Sequence, residues 1–254
     1  MNVMQNKKKI IMLIVLAVVT AAGPNARAAT IDQANTVFYN YDKDIANIQT
    51  AIDMYTRIAH STDDSSLLYQ AYYRLGMAYL TLGDFAHLDH TDAVKDYEAG
   101  KQAAWKAMQI NPDGSEACFW YAGNIGRIAQ REFFLKAVLV LPAFLKYLSR
   151  AHRLDPKSLF VLEAYAELYY QLPGAFGGSD EKSIGYIKEA LKIDPRYTMP
   201  LTTLAKVYIS EGRYAEARDV LNRVLQFKDP SYRAGWVMYD KPLARKLLES
   251  IRDK

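Results

Sequence analysis

Four segments that end in proline recur along the chain: Ala107-Met-Gln-Ile-Asn-Pro112, Ala151-His-Arg-Leu-Asp-Pro156, Ala190-Leu-Lys-Ile-Asp-Pro195 and Val224-Leu-Gln-Phe-Lys-Asp-Pro230, with the prolines 44, 39 and 35 residues apart. A period of that length marks stacked helix pairs, none of which buries its apolar face without a neighbour. Each segment contains its own reason. A small residue lets two helices approach, aliphatic residues face inward, and Asn or Asp followed by Pro ends the helix. Proline has no amide proton and drives its predecessor away from helical angles. The expected fold is all-α, a right-handed solenoid of helix pairs with insertions between some helices. It comprises a first pair at 31–60, repeats at about 66–112, 115–156, 158–195 and 198–230, and a capping helix at about 241–252.

The apolar positions bear this out in detail. The last repeat has Leu201, Leu204, Ala205, Tyr208 and Gly212, then Ala217, Leu221 and Val224. The first has Tyr72, Leu75, Gly76, Tyr79 and Gly83, then Gly100, Ala104 and Ala107, with about a dozen extra residues between its helices. The third has Leu162, Tyr165, Ala166 and Tyr169, then Ser183, Ile187 and Ala190. The second diverges most: Phe119, Gly123 and Gly126 lead through a longer connection to Phe144, Leu148 and Ala151. Position by position the last repeat resembles the tetratricopeptide consensus. Downstream, Asp240-Lys241-Pro242 reads as a helix start, and Leu243, Leu247, Leu248 and Ile251 as one apolar stripe.

The N-terminus has Lys7, Lys8 and Lys9, an apolar run from Ile10 to Ala22, and Ala26-Arg27-Ala28, the pattern of a cleaved export signal over residues 1–28. The run falls short of the roughly 20 apolar residues a membrane span needs. The formal net charge of +4 belongs to this segment, since Lys7, Lys8, Lys9 and Arg27 are its only charged residues, and the mature chain from Ala29 is near neutral. That excludes nucleic acid as a partner. Cys118 is the only cysteine, so no internal disulfide framework exists, and its aromatic surroundings suit burial.

Three stretches resemble a narrower group, the tetratricopeptide proteins associated with TRAP transporters, or T component: Tyr121-Ala-Gly-Asn-Ile-Gly-Arg127, the bulky connection Phe133 to Pro142, and Leu172-Pro-Gly-Ala-Phe-Gly-Gly-Ser-Asp-Glu-Lys182. The resemblance implies a periplasmic or extracellular homotrimer that works beside a solute-binding protein and holds a small apolar ligand in its helical groove. Such proteins are commonly anchored through a cysteine at the cleavage site, and no cysteine lies near Ala28. The rival reading is a general peptide-binding adaptor in cell-envelope assembly.

In a right-handed array the first helices line the concave surface, so positions between their packing residues point into the groove. Register names Tyr73 and Met77, then Trp120, Asn124 and Arg127, then Glu163, Glu167 and Tyr170, and finally Thr202 and Lys206. Tyr, Trp and Arg suit recognition hot spots. The alternative is that the aromatics are core and Arg127 pairs with Glu163 or Glu167. Gly123 and Gly126 share one helix, where each costs roughly 1 kcal/mol against alanine; they serve either close packing or approach of a ligand beside Asn124.

Other patterns lead elsewhere. Gly174 to Lys182, with Gly177 and Gly178 before a helix, superficially resembles a phosphate loop but lacks the strand, so it reads as a turn with Ser179 or Asp180 capping the helix. Asp84, His87, Asp89, His90 and Asp92 form the only metal-like cluster and read as water-facing. The run from Phe133 to Leu145, interrupted by Lys136 and Pro142, reads as buried or as an oligomer contact through Phe134, Val138 and Leu141. The scattered His60, His87, His90 and His152 make no catalytic triad. No enzyme activity, cofactor or metal is expected.

Overall fold

A computed structural model describes residues 30–85, 93–131 and 134–254. The export-signal reading of residues 1–28, and His87, Asp89, His90 and Asp92 of the metal-like cluster, lie outside the described residues. Among the described residues ten α-helices stack as five consecutive pairs, an eleventh follows them, and no strand occurs. The pairs are α1 (Ile31–Phe38) with α2 (Ala46–Ser61), α3 (Ser65–Phe85) with α4 (Ala93–Ile110), α5 (Ser115–Arg131) with α6 (Phe134–Leu154), α7 (Leu159–Gln171) with α8 (Asp180–Ile193), and α9 (Met199–Ser210) with α10 (Tyr214–Gln226). A short turn at Arg233–Gly235 runs through a π-helical turn at Trp236–Asp240 into α11 (Lys241–Ser250).

The helix ends follow from their residues. Thr30 caps α1 reciprocally: its Oγ1 accepts from the Gln33 amide at 3.2 Å while its own amide donates to Gln33 Oε1 at 3.0 Å. At the first three proline segments the Asn or Asp does more than precede proline. Asn111, Asp155 and Asp194 each accept, through Oδ1, the amide two residues on, at 3.1, 3.0 and 2.8 Å. This Asx turn reverses the chain into the next pair. The fourth segment has one more residue and departs from the pattern: Asp229 reaches back to Arg196 at 2.6 Å.

One sequence expectation is corrected and another holds. The longer connection of the second repeat is helical, because α6 begins at Phe134 and carries Pro142 within it. The side chains of Phe134 and Val138 lie outside the described residues; Leu139 beside them is 77% exposed. The helix start read at Asp240-Lys241-Pro242 is where α11 begins, though Asp240 caps it with no side-chain bond. Asp240 sits in helical angles, and its carboxylate turns inward to accept from Thr198 Oγ1 at 2.6 Å.

Among the described residues the core falls into three main apolar clusters along the stack. Phe38, Tyr41, Ile48, Ile52, Tyr55 and Leu75 fill the N-terminal part; Cys118, Leu148, Ala151 and Val161 the middle; Leu201, Leu221, Val224 and Trp236 the C-terminal part. The first of these regions also takes in Ala234, Tyr232, Met238 and Tyr239, which belong to the far end of the chain. No helix among the described residues is long and apolar enough to cross a membrane.

Candidate functional site on the inner face of the first helices

Stacking places one face of α3, α5, α7 and α9 along a common inner wall. Its aromatic part is Trp120, whose ring centroid lies 4.8 Å from Phe119 and 5.4 Å from Phe160. Phe160 in turn meets Tyr197 at 6.2 Å and Tyr232 at 5.9 Å.

The wall is already covered. Tyr232 Oη lies 2.8 Å from Tyr41 Oη, across 191 residues of chain. Arg233 Nε donates to Asp42 Oδ2 at 3.0 Å, and Tyr239 packs on Phe85 with ring centroids 5.3 Å apart. Residues 232–240 thus bring the end of the array against its beginning. Gly235 is required there, because a Cβ would stand 2.5 Å from the Tyr232 ring.

Two charged groups flank this aromatic strip. At one end Arg127 makes two bonds with Asp84, Nε to Oδ1 and Nη2 to Oδ2, both 2.9 Å. Tyr97 donates to Asp84 Oδ1 at 2.9 Å and Tyr239 to Oδ2 at 3.4 Å. Such a forked arginine contact combines charge with fixed geometry. Burial, with the Asp84 charge second, pushes the Tyr97 hydroxyl up to about 12.

At the other end Thr203 Oγ1 lies 2.8 Å from Glu163 Oε1 and 2.9 Å from Glu167 Oε2, and Lys206 Nζ donates to both Glu167 oxygens at 2.8 and 2.9 Å. A hydroxyl has one proton and cannot donate to two carboxylates, so one carboxyl must donate to it. Burial pushes Glu163 up to about 8, against the bond from Thr203. Burial also acts to raise Glu167, but the Lys206 charge and bonds from Lys206, Gln171 and Thr203 hold it below its ordinary value. Glu163 is therefore the neutral acid at pH 7, and the bonds run from Glu163 to Thr203 to ionised Glu167. Asp240 is raised by burial to about 6, against the bond from Thr198 and the Lys206 charge.

Several residues expected to face an open groove are interior. Met77 is 4% exposed and its Sδ accepts from Tyr39 Oη at 3.9 Å. Trp120 and Thr202 are buried. Asn124 is fully buried because Gly100 faces it: its Nδ2 donates to Gly76 O at 2.9 Å and Trp120 O at 2.8 Å. Arg127 pairs with Asp84, not with Glu163 or Glu167; the charge partner of Glu167 is Lys206. Tyr73 and Tyr170 are half-buried, Tyr73 against Tyr69 and the Arg74 guanidinium, Tyr170 beneath Lys206.

The glycines are structural. A Cβ on Gly123 would come within 2.9 Å of Leu80 Cδ1 and one on Gly126 within 3.2 Å of Phe144. Gly177 takes φ +91° and Gly178 approaches Leu172 O too closely for any side chain, while Ser179 Oγ caps α8 by accepting from the Lys182 amide at 3.2 Å. That is the expected turn.

Sequence reasoning missed Asp42, Phe160, Thr203, the stretch 232–239 and the inward turn of Asp240. Only Tyr232, Trp236 and Tyr239, a run rich in aromatics beyond the last repeat, signalled a segment with something to bury. Among the described residues no three His, Cys, Asp or Glu side chains are placed to share a metal ion.

Comparison with known proteins agrees with this architecture. Tetratricopeptide repeat models match residues 182–234 and 69–87. Among solved structures, TTC0263, a thermophilic TPR protein in Thermus thermophilus, is 16% identical over 86% of this chain and 99% of its own, with a TM-score of 0.60. YrrB, a TPR protein with an unusual peptide-binding site, is 16% identical over 86% and 90%, and MamA 14% over 85% and 97%, each with a TM-score of 0.43. No curated protein matches in sequence. The chain carries tetratricopeptide repeats and folds as their α-solenoid, a fold that serves as a scaffold for protein interaction.

Proposed function

We propose that this tetratricopeptide chain is an exported scaffold that holds a protein partner, and more narrowly an accessory of a TRAP-type solute transporter that works beside a solute-binding protein. The observation that carries the scaffold reading is the inner wall. Three successive pairs contribute Trp120, Arg127, Phe160, Glu167 and Lys206 to one surface of aromatic and charged groups, the composition of recognition hot spots. The two acids with strongly raised pKa, Glu163 and Asp240, are 8% and 3% exposed, sealed from any substrate in this conformation. The leader-like residues 1–28 support export. The three family-like stretches support the transporter association, with the aromatic strip around Phe119, Trp120 and Phe160 as the place for a small apolar ligand.

Native mass spectrometry of the purified chain, alone and mixed with a solute-binding protein, tests the narrower reading. A homotrimer with retained ligand that takes up the solute-binding protein is the expected result. A bare monomer that forms no complex overturns it. A second reading, a peptide-binding adaptor of the cell envelope, is favoured by the presence of a helical segment, residues 232–240, on the wall itself. It predicts a monomer that captures helical peptides.

A further inference from the structure

Away from the inner wall, α3 forms the floor of a second opening. Tyr72, Leu75 and Tyr79 lie on a face of that helix roughly opposite Tyr73 and Met77, and they line a cleft of about 210 Å³ between α2 and α4. The space stays open because its walls are small: Ala59 on α2 faces Ala99 and Ala103 on α4.

Successive helices of the stack reverse direction, so α2 and α4 run parallel, and each carries an acid towards one end of the cleft and a base towards the other. At the Tyr72 end Lys106 Nζ stands over the tyrosine ring, 5.3 Å from its centroid, and His60 lines the α2 side. At the Tyr79 end stand Asp53 of α2 and Asp96 of α4. Burial first, then the charges of Asp96 and Asp53, raise the Tyr79 hydroxyl above its ordinary value, which puts both carboxylates within reach of that ring. Asp53 Oδ1 accepts from the neutral Gln49 amide at 2.9 Å. Asp53 and Lys106 lie outside the terminal turns of their helices, so the helix dipole does not account for their placement.

The spacing and the middle of the cleft narrow the ligand. Tyr72 and Tyr79 are two helical turns apart, about 10 Å along the axis. Between them Leu75 is buried beneath and alanines stand on both sides, with only the Thr56 hydroxyl and the Gln102 amide to meet polar atoms. A methylene chain suits that surface better than a peptide, whose amides would lose their water with few bonds in return. We propose that this cleft binds a small linear zwitterion, its carboxylate against Lys106 and His60, its ammonium between Asp53 and Asp96, and an apolar chain of about 10 Å between them. The site is separate from the inner wall and stands whether or not that wall holds a partner.

The test is titration of the full chain with ω-aminooctanoate, followed by calorimetry and by the methyl NMR signals of Ala59, Ala99 and Ala103. Octanoate and octylamine, each with one of the two charges, should bind at least about fivefold more weakly. Trialanine, with both charges but amides between them, should also bind more weakly. Lys106 is exposed, so Lys106→Gln keeps the fold; it should lower the affinity for ω-aminooctanoate to that for octylamine. Ala99→Leu fills the cleft and should abolish binding, with circular dichroism and a thermal melt to show that the chain remains folded. Equal affinity for ω-aminooctanoate, octanoate and octylamine overturns the proposal, as does unchanged binding by folded Lys106→Gln or Ala99→Leu. Trialanine binding as tightly as ω-aminooctanoate overturns it in favour of a short peptide, and alanine methyl signals that stay in place overturn the location.

Discussion

Asp84 and Glu163 are two acids on the same wall with opposite fates. Asp84 meets both ends of the Arg127 fork and two tyrosine hydroxyls, every bond in the plane of a charge that has been provided for. Glu163 meets one threonine that is shared with Glu167, and one of its oxygens meets nothing. Taking a carboxylate out of water costs several kcal/mol unless charge and hydrogen bonds are returned. Where the return is incomplete, as at Glu163, the acid keeps its proton. The lysine that would have served Glu163 serves Glu167, four residues along the same helix.

The sharpest way to break this contrast is pH. The folded pKa of Glu163, about 8, lies above the ordinary 4.5, so between those values the native state binds the extra proton. The stability tied to that proton is present in full below about pH 4.5 and is lost as pH rises towards 8. Asp240 acts in the same direction between 3.8 and about 6. Melting temperatures should fall from pH 5 to pH 8 by the equivalent of about 5 kcal/mol, and Glu163→Gln, which keeps the shape of the neutral acid, should remove most of that slope.

Arg127→Ala is the corresponding break at Asp84. It strands a carboxylate whose side chain is 11% exposed, and thermal melts should show a loss of about 2 kcal/mol, discounted from a fully buried pair because Arg127 is 41% exposed. Thr203→Val removes the hydroxyl between Glu163 and Glu167 at constant shape. It leaves a second Glu163 oxygen without a partner and should cost about 1 kcal/mol in urea unfolding, with the larger loss below pH 8 where Glu163 holds its proton. Tyr239→Phe should be the mildest, about 0.5 kcal/mol, since its bond to Asp84 is long and Arg127 and Tyr97 remain.

The sequence was most readable where physics acts over a few residues. The Asn-Pro and Asp-Pro stops became Asx turns, Ser179 became a helix cap, and small residues at Ala104, Ala107, Ala151 and Ala190 are fully buried. The inner wall was less legible for a definite reason. Which side of α5 Asn124 faces depends on Gly76 and Gly100 across two helix interfaces, a fit that no single helix records. The partner of Arg127 depends on how far α3 extends, and α3 extends to Phe85, carrying Asp84 alongside. The cover at 232–240 depends on contacts nearly the length of the chain away, which leave no periodicity behind.

The bond between Tyr41 and Tyr232 has a consequence in time as well as space. Repeat arrays ordinarily fold by propagation between neighbours, so the first pair can settle once the second has been made. Here the turn between the two helices of the first pair carries Tyr41 and Asp42, whose cover is encoded 191 residues later. At synthesis rates of about 5–20 residues per second, that surface waits roughly 10–40 s for its lid. During that interval a nascent chain displays an aromatic and acidic patch that the finished protein conceals, the kind of exposure for which chaperones compete.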